Sequence, residues 1–168
     1  MNKTEVQIEL EKFRDYVIEQ SQKNLRKLGK DGGKLYDSIE GRVKANDNSF
    51  EIEFSMEEYG IYQDKGVSGK HKKYNTEFKY KDKMPPPRAF DKWIIRKGIA
   101  PRKNGKFKKR KSLQFAIARS VFYHGLKPSL FFTKPFEKAY KKLPNVLVEA
   151  YGLDAVELFN ESIYLTKK

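Results

Sequence analysis

The chain has 168 residues, of which 38% are hydrophobic and 35% are charged, and its formal net charge is +14. It contains no cysteine, and its two histidines, His71 and His124, lie far apart, so a disulfide framework and a thiolate or zinc-type metal site are excluded. No apolar run approaches 18 residues and Met1–Glu11 is polar, so we expect neither a membrane span nor a signal peptide. The length predicts a single domain over residues 1–168.

The first predicted element is a helix over Thr4–Leu28. Thr4 followed by Gln7 has the form of a capping box, and Gly29 supplies the stop. The helix would bury one apolar stripe, formed by Val6, Leu10, Phe13, Val17 and Leu28.

A period of two follows this helix and predicts a half-buried β-hairpin. Its strands are Ile39–Val43 and Phe50–Phe54, and the segment Ala45–Asn48 between them has residues that tolerate a tight turn. The segment Met56–Gly66 is too short for a long helix, and a single helical turn ending at Gly66 fits it best.

Nearly all of the net charge lies in Lys65–Lys111, which we call the basic insert. It holds 18 Lys and Arg against three acidic residues, a balance of +15, whereas the remaining chain holds 18 basic and 19 acidic residues, a balance of −1. Charge clustered in this way concentrates positive potential on one part of the surface. The partner that it predicts is a polyanion, most often a nucleic acid backbone.

Within the basic insert the pattern predicts three segments. Tyr74–Tyr80 alternates apolar and polar residues and is expected to be an exposed strand or hairpin arm. Pro85–Pro87 then opens a short amphipathic helix that stops at Gly98. Pro101–Lys111 carries too much like charge for a packed element and is expected to be a mobile loop.

The rest of the chain favours helices. Ser112 is the predicted cap of a helix that runs to Gly125, and Phe131-Phe132 is a candidate third strand. Thr133 is expected to cap, and Pro135 to open, the next helix, and Val146–Tyr151 follows at helical spacing. The fold class is therefore predicted as α+β, with the long N-terminal helix packed on a small antiparallel sheet, additional helices and an extended basic insert.

No catalytic pattern stands out, so the chain is predicted not to be an enzyme and to use no cofactor or metal. Asp64-Lys65 resembles part of a metal-dependent nuclease site but lacks a second acidic ligand at a defined spacing. His124 is expected to end a helix, where the macrodipole favours it.

The candidate site is a surface that faces DNA phosphates or a protein partner. Charge without base-reading side chains indicates backbone contact that ignores sequence. Aromatic residues among the lysines could stack on unpaired bases or hold the insert to its own body, and both interpretations stay open; these are Tyr74, Phe78, Tyr80, Trp93 and Phe107. The candidate contact residues are Lys70, Lys72, Lys73, Arg102, Lys103, Lys106, Lys108, Lys109, Arg110 and Lys111.

Three separated stretches, Gly32–Ile39, Tyr59–Gly66 and Lys134–Ala139, form a recognisable series after the N-terminal helix. They are a small-residue segment before the first strand, an aromatic segment that ends in glycine, and a proline-aromatic helix start. In order and spacing they resemble the neck or tail-completion proteins, also called head-tail joining proteins, of long-tailed bacteriophages. Val67 and Lys134 replace the usual threonine and arginine, and Pro87–Gly125 looks like an elaboration of larger members. The motif residues are Tyr59, Tyr62, Gly66, Pro135 and Phe136.

The resemblance implies an α+β virion protein without catalysis. Such proteins form a homo-oligomeric ring at the head-tail junction or tail end, between the connector or portal side and the tail tube, and the ring surrounds the DNA channel. The expected location is the virion, and the host cytoplasm during assembly. The basic insert would face double-stranded DNA or acidic surfaces of adjoining rings. The alternative is an independent, sequence-indifferent nucleic-acid-binding protein or, with less support, a metal-dependent nuclease.

Overall fold

The computed structural model describes residues 4–46, 49–100, 102–103, 106–107 and 109–150. The chain divides into two compact units, of which unit 1 comprises Met1–Gly60 and Leu130–Lys168 and unit 2 comprises Ile61–Ser129. The single domain expected from chain length stays a prediction, because two compact units can belong to one cooperative fold. No helix in the described part of the chain is long and apolar enough to cross a membrane.

Unit 1 is an α+β assembly, as predicted. Its helices are α1 (Glu5–Lys27), α2 (Lys34–Asp37), α6 (Thr133–Tyr140) and α7 (residues 143–150), and its strands are β1 (Glu40–Asn46) and β2 (Ser49–Ser55). Unit 2 contains nearly all of α3 (Gly60–Lys65), a 3-10 helix (Pro87–Phe90), α4 (Asp91–Arg96), β3 (Arg102–Lys103), β4 (Lys106–Phe107) and α5 (Arg110–His124).

Helix α1 confirms the first predicted element. The Thr4 hydroxyl accepts a hydrogen bond from the Gln7 amide at 3.2 Å, and Gly29 follows the helix with φ +64°. Leu28 lies just outside the helix and is exposed, so its place in the predicted apolar stripe was wrong. The stripe that is buried consists of Val6, Leu10, Phe13, Val17 and Leu25.

The predicted hairpin is also present, and α1 packs against it. Strand β1 pairs with β2 antiparallel, with Val43 opposite Ile52. The predicted turn Ala45–Asn48 falls partly on residues 47–48, which lie outside the described residues. Val43 and Ile52 pack on a small core cluster of α1 and α7.

The third predicted strand, Phe131-Phe132, was wrong. These residues form a turn directly before α6, because Leu130 takes a left-handed conformation with φ +50° and redirects the chain. The Phe131 carbonyl accepts a hydrogen bond from the Asn24 side chain at 3.1 Å, so it does not pair with a strand. The apolar residues of this segment pack into a core cluster with Leu25 of α1, Leu35 of α2 and Ile39 rather than extend the sheet.

The predicted start of α6 was wrong by two residues. Thr133 is the first helical residue, not the residue before the helix, and Pro135 is buried at the third position of the helix. Proline is tolerated there because the first-turn amides have no partner within the helix. Pro135 therefore indicated where the first turn of α6 lies, but not the residue at which the helix begins.

Five aromatic rings join α1, β2 and α6 in one cluster. The Phe136 ring lies 5.7 Å from Phe13, 6.0 Å from Phe54 and 5.9 Å from Phe132, measured between ring centroids. It also stacks on Tyr140 at 5.8 Å. Phe136 is therefore the ring that contacts all the others, and through Phe54 it packs against strand β2.

Unit 2 is built around the buried segment Gly66–Gly69. The Val67 amide donates to the Leu126 carbonyl at 2.9 Å, and the Leu126 amide donates back to Val67 at 2.8 Å. On the other side the Ser68 amide donates to Phe78 at 2.8 Å. Helix α3 ends at Lys65, immediately before Gly66, so the predicted helical turn is confirmed.

Three predictions within unit 2 were wrong. Tyr74–Tyr80 shows the predicted alternation of exposure but is not a strand, because its described backbone pairing is a single parallel bridge between Ser68 and Lys79. The expected mobile loop Pro101–Lys111 contains the paired strands β3 and β4, and Arg110 already begins α5. Ser112 consequently lies inside α5 and cannot cap it. The short helix before Gly98 is confirmed as α4.

Replacing Phe136 by alanine is expected to lower the free energy of unfolding by about 3 kcal/mol, because the cluster would lose its central ring. Urea denaturation of the full chain measures this loss. Tyr140→Ala is the matched control, since Tyr140 is 57% exposed and its described ring contact with the cluster is with Phe136. An unfolding midpoint for Phe136→Ala equal to that of wild type would contradict the described packing.

Replacing Gly66 by alanine is expected to cost about 1–2 kcal/mol from the left-handed backbone alone, because its φ is +76°. An added Cβ would also lie 2.6 Å from the Leu126 carbonyl oxygen. Gly32→Ala is the control, because a Cβ there meets nothing within 4 Å. Equal thermal midpoints for the two variants would argue against this backbone geometry.

Candidate nucleic-acid interface

The boundary of the two compact units coincides with the boundary of charge. Residues 61–129 carry 20 Lys and Arg and four Asp and Glu, a formal charge of +16. The rest of the chain carries 16 basic and 18 acidic residues, a formal charge of −2. Candidate contacts to a polyanion therefore belong to unit 2.

The segment that carries Lys70, Lys72 and Lys73 caps the C-terminal end of α5. The Lys70 amide donates to the Phe122 carbonyl at 3.0 Å, and the amides of His71 and Lys72 donate to Tyr123 at 2.9 and 3.2 Å. These carbonyls have no partner within the helix, so the segment satisfies them. The three lysines are thereby placed at the negative end of the helix dipole.

Aromatic faces hold most of the cations at this end. The Lys70 ammonium lies 5.9 Å from the Phe122 ring, and the Lys72 ammonium lies 5.6 Å from Tyr74. The Arg119 guanidinium lies 5.7 Å from the Tyr123 ring. Lys70 also pairs with Asp82 at 3.7 Å, but Asp82 is 91% exposed, so water screens this pair.

Lys73 differs from its neighbours because its ammonium donates to the Gly69 carbonyl at 2.8 Å. This hydrogen bond ties Lys73 to the backbone of its own loop, residues 69–73, so its ammonium group has less freedom to reach a ligand. We therefore define the C-terminal basic group as Lys70, Lys72 and Arg119.

The N-terminal basic group consists of Lys109, Arg110 and Lys111, all exposed at the start of α5. Arg110 pairs with Asp91 at 3.7 Å. Asp91 also accepts a hydrogen bond of 2.5 Å from the buried Gln114 side chain, so it fixes the start of α4 to α5.

The structure does not bring the predicted contact residues into one patch. Lys70 and Lys72 lie at the C-terminal end of the 15-residue helix α5, about 20 Å from its N-terminal end at a rise of 1.5 Å per residue, whereas Arg119 lies within the helix, about 12 Å along it from Lys111. Lys108 lies outside the described residues. Of three further candidates the structure describes only the backbone, in β3 and β4; these are Arg102, Lys103 and Lys106.

The aromatic residues of the insert pack within unit 2. Phe78 makes an edge contact with Tyr62 at 4.8 Å between centroids, and Tyr80 lies 6.1 Å from Phe122. Burial raises the pKa of the Tyr80 hydroxyl. These contacts support the interpretation that the rings hold the insert to its own body. Trp93 is 40% exposed, and Phe107 is described only as part of β4.

The motif residues form structural joints. The Tyr59 hydroxyl accepts a hydrogen bond from the Leu35 amide at 3.0 Å, which connects two of the three stretches that carry the family resemblance. Gly60 leaves no room for a side chain, since a Cβ there would lie 2.8 Å from Leu35. Gly66 makes the left-handed turn after α3. Pro135 and Phe136 belong to the packing of α6 described above.

Among the described residues, no group of three His, Cys, Asp or Glu side chains could hold a metal ion. Asp64 is only 4% exposed, and its carbonyl accepts a hydrogen bond from the Ser129 amide at 3.1 Å. His124 ends α5 as predicted, with Nδ1 lying 3.1 Å from the Ser120 carbonyl oxygen. Absence of enzymatic activity stays a prediction.

Sequence reasoning missed Arg119, Asp91 and Gln114. Arg119 and Tyr123 are four residues apart, and this helical spacing was a usable signal for their contact. Asp91 and Gln114 are 23 residues apart, and no local pattern indicates their hydrogen bond.

Comparisons with family models, with curated proteins and with solved structures found no match to this chain.

Lys111→Glu is expected to stabilise the protein by about 0.3–1 kcal/mol, because a carboxylate in the first turn of α5 complements the helix dipole that Lys111 opposes. Thermal unfolding at low salt measures the gain, which should fade in 1 M salt. Lys83→Glu is the control, since it makes the same charge change at an exposed position outside any helix. Equal stabilisation in both variants would mean that general charge repulsion, not the dipole, is responsible.

Proposed function

We propose that this protein is a structural component of the bacteriophage neck or tail end, where copies form a ring around the DNA channel. It has no catalytic role in this proposal. Its partners are further copies of itself, connector- or portal-side proteins, tail-tube proteins and double-stranded DNA. It would be found in the virion and, during assembly, in the host cytoplasm. The identity of the assembly rests on the family resemblance.

The observation that carries the proposal is the coincidence of charge with structure. Unit 1 has a formal charge of −2, so copies of it can pack side by side with little electrostatic repulsion. Unit 2 has a formal charge of +16, so its copies repel one another unless a polyanion neutralises them. A ring that encloses DNA satisfies both conditions.

The motif residues add support because they organise the part of the chain that would form the ring body. Phe136 joins α1, β2 and α6 in unit 1. Tyr59 fixes the end of unit 1 to α2. Residues that form such joints define a scaffold, and function is then carried by the surface built on it.

A second candidate is an independent DNA-binding protein without ring assembly. The +16 charge of unit 2 favours it equally. The two candidates differ in whether unit 1 binds other copies.

Multi-angle light scattering of the full chain tests the proposal. We expect a mass that is an integer multiple of the protomer, alone or with connector or tail-tube proteins. Without DNA, assembly should be stronger at 1 M than at 0.1 M salt, because the Debye length falls from about 10 Å to about 3 Å and screens repulsion between copies of unit 2.

A protein that stays monomeric at both salt concentrations and with every neck component, yet binds DNA tightly, would contradict ring assembly and favour the second candidate. A tail-tube protein from an unrelated phage serves as the control for specific association.

A further inference from the structure

The N-terminal basic group lies where the helix dipole disfavours it, although Arg110 pairs with Asp91. Lys109, Arg110 and Lys111 stand at the positive end of the α5 dipole, and the first turn holds no acidic residue. The N-cap residue, Lys109, makes no side-chain cap. Cations at this position cost stability, so helix formation does not account for them. Together with the helix dipole they form a strongly positive pole.

Each cation of the C-terminal basic group lies beside an aromatic ring. Contacts with the rings of Phe122, Tyr74 and Tyr123 orient Lys70, Lys72 and Arg119, and all three cations lie on exposed residues. A cation that is already oriented loses less side-chain entropy when it binds an anion. This end of α5 is therefore a second positive pole, and it is organised before any ligand arrives.

The surface between the two poles permits close approach of a ligand. Ser112, Ala116 and Ser120 are exposed on α5, and their side chains are short. Tyr123 follows Ser112 by three helical turns, so both lie on one side of the helix. Phe115, which is 52% exposed, and Arg119 flank this stripe, so a ligand that contacts both poles passes over the short side chains and meets these two longer ones along one edge.

The spacing of the poles favours a stiff polyanion. A distance of about 20 Å along the axis of B-DNA spans about six phosphates of each strand, at an axial rise of 3.4 Å per phosphate. A duplex holds phosphates at such spacings because its persistence length is about 50 nm. Each ring near the second pole already has a cation beside it, which leaves less of its surface for stacking on unpaired bases.

We propose that both ends of α5 bind the phosphate backbone of a single DNA duplex, with the N-terminal and C-terminal basic groups in contact at the same time. This deepens the proposed function by naming the surface of unit 2 that faces the DNA, and it takes the choice of DNA as partner from that function.

Three variants of the full chain test the proposal. The first replaces Lys109, Arg110 and Lys111 with glutamine, the second replaces Lys70, Lys72 and Arg119 with glutamine, and the third combines both sets. A control replaces Lys138, Lys141 and Lys142, three exposed residues of unit 1, with glutamine. Affinity for a 12-base-pair duplex of arbitrary sequence is measured by fluorescence anisotropy between 50 and 300 mM salt.

The slope of log affinity against log salt should fall by about 0.9 for each phosphate that a variant no longer neutralises. We expect a fall of two to three for each triple variant, the sum of the two for the combined variant, and no change for the control. The first triple variant should also keep or raise its thermal midpoint, which separates weaker DNA binding from unfolding.

Several outcomes would overturn the proposal. If only one triple variant changes the slope, the other group does not touch the same duplex. If neither variant changes the slope, or if the wild type does not bind the duplex at 50 mM salt, α5 is not the DNA surface. Tighter binding of a 12-nucleotide single strand than of the duplex would identify a different ligand.

Light scattering on the same samples distinguishes this failure from failure of the proposed function. If the protein assembles into rings but all variants show the same slope of log affinity against log salt, the α5 proposal is wrong and the proposed function is not affected. The expected slopes in a protein that never assembles would sink the ring and leave the α5 surface standing.

Discussion

The arrangement of unit 2 depends on how the last carbonyls of α5 are satisfied. They accept hydrogen bonds from the amides of residues 70–72, and the adjoining pair between Val67 and Leu126 continues the same contact. The chains approach so closely that a Cβ at Gly69 or Gly125 would collide with backbone atoms. These backbone hydrogen bonds satisfy the C-terminal end of α5 and hold the buried segment Gly66–Gly69 against it. They also place Lys70 and Lys72 beside that end of the helix.

Elements with complete local signals were predictable from the sequence. The Thr4 cap, the two-residue period of the hairpin, and the glycines after α3 and α4 each act within a few residues of where they occur. The clustering of positive charge in the middle of the chain was equally predictable, because it requires only a count of charged residues along the sequence. These features fix the fold class and the part of the chain that carries the candidate interface.

Features that depend on distant residues were not predictable. Phe131 has the local pattern of a strand residue, but its carbonyl accepts a hydrogen bond from the Asn24 side chain and its ring is buried in the core. Tyr74–Tyr80 alternates like a strand, yet its polar backbone pairs mainly with the irregular segment around Ser68. The division of the basic residues between the two ends of α5 likewise follows from tertiary packing, which no count of charges contains.

The insertion of unit 2 into unit 1 has a consequence for synthesis on the ribosome. The α1 helix and the hairpin emerge first, but α6 follows only after the 69 residues of unit 2. As an unfolded loop this insertion would add about 4 kcal/mol of closure entropy to the folding of unit 1. Within unit 2 the Ser129 hydroxyl donates to the Gln63 carbonyl at 2.6 Å, so its two ends meet when it folds. A nascent chain that folds unit 2 first therefore brings the end of the first half of unit 1 close to the start of its second half, before the rest of that second half has left the exit tunnel.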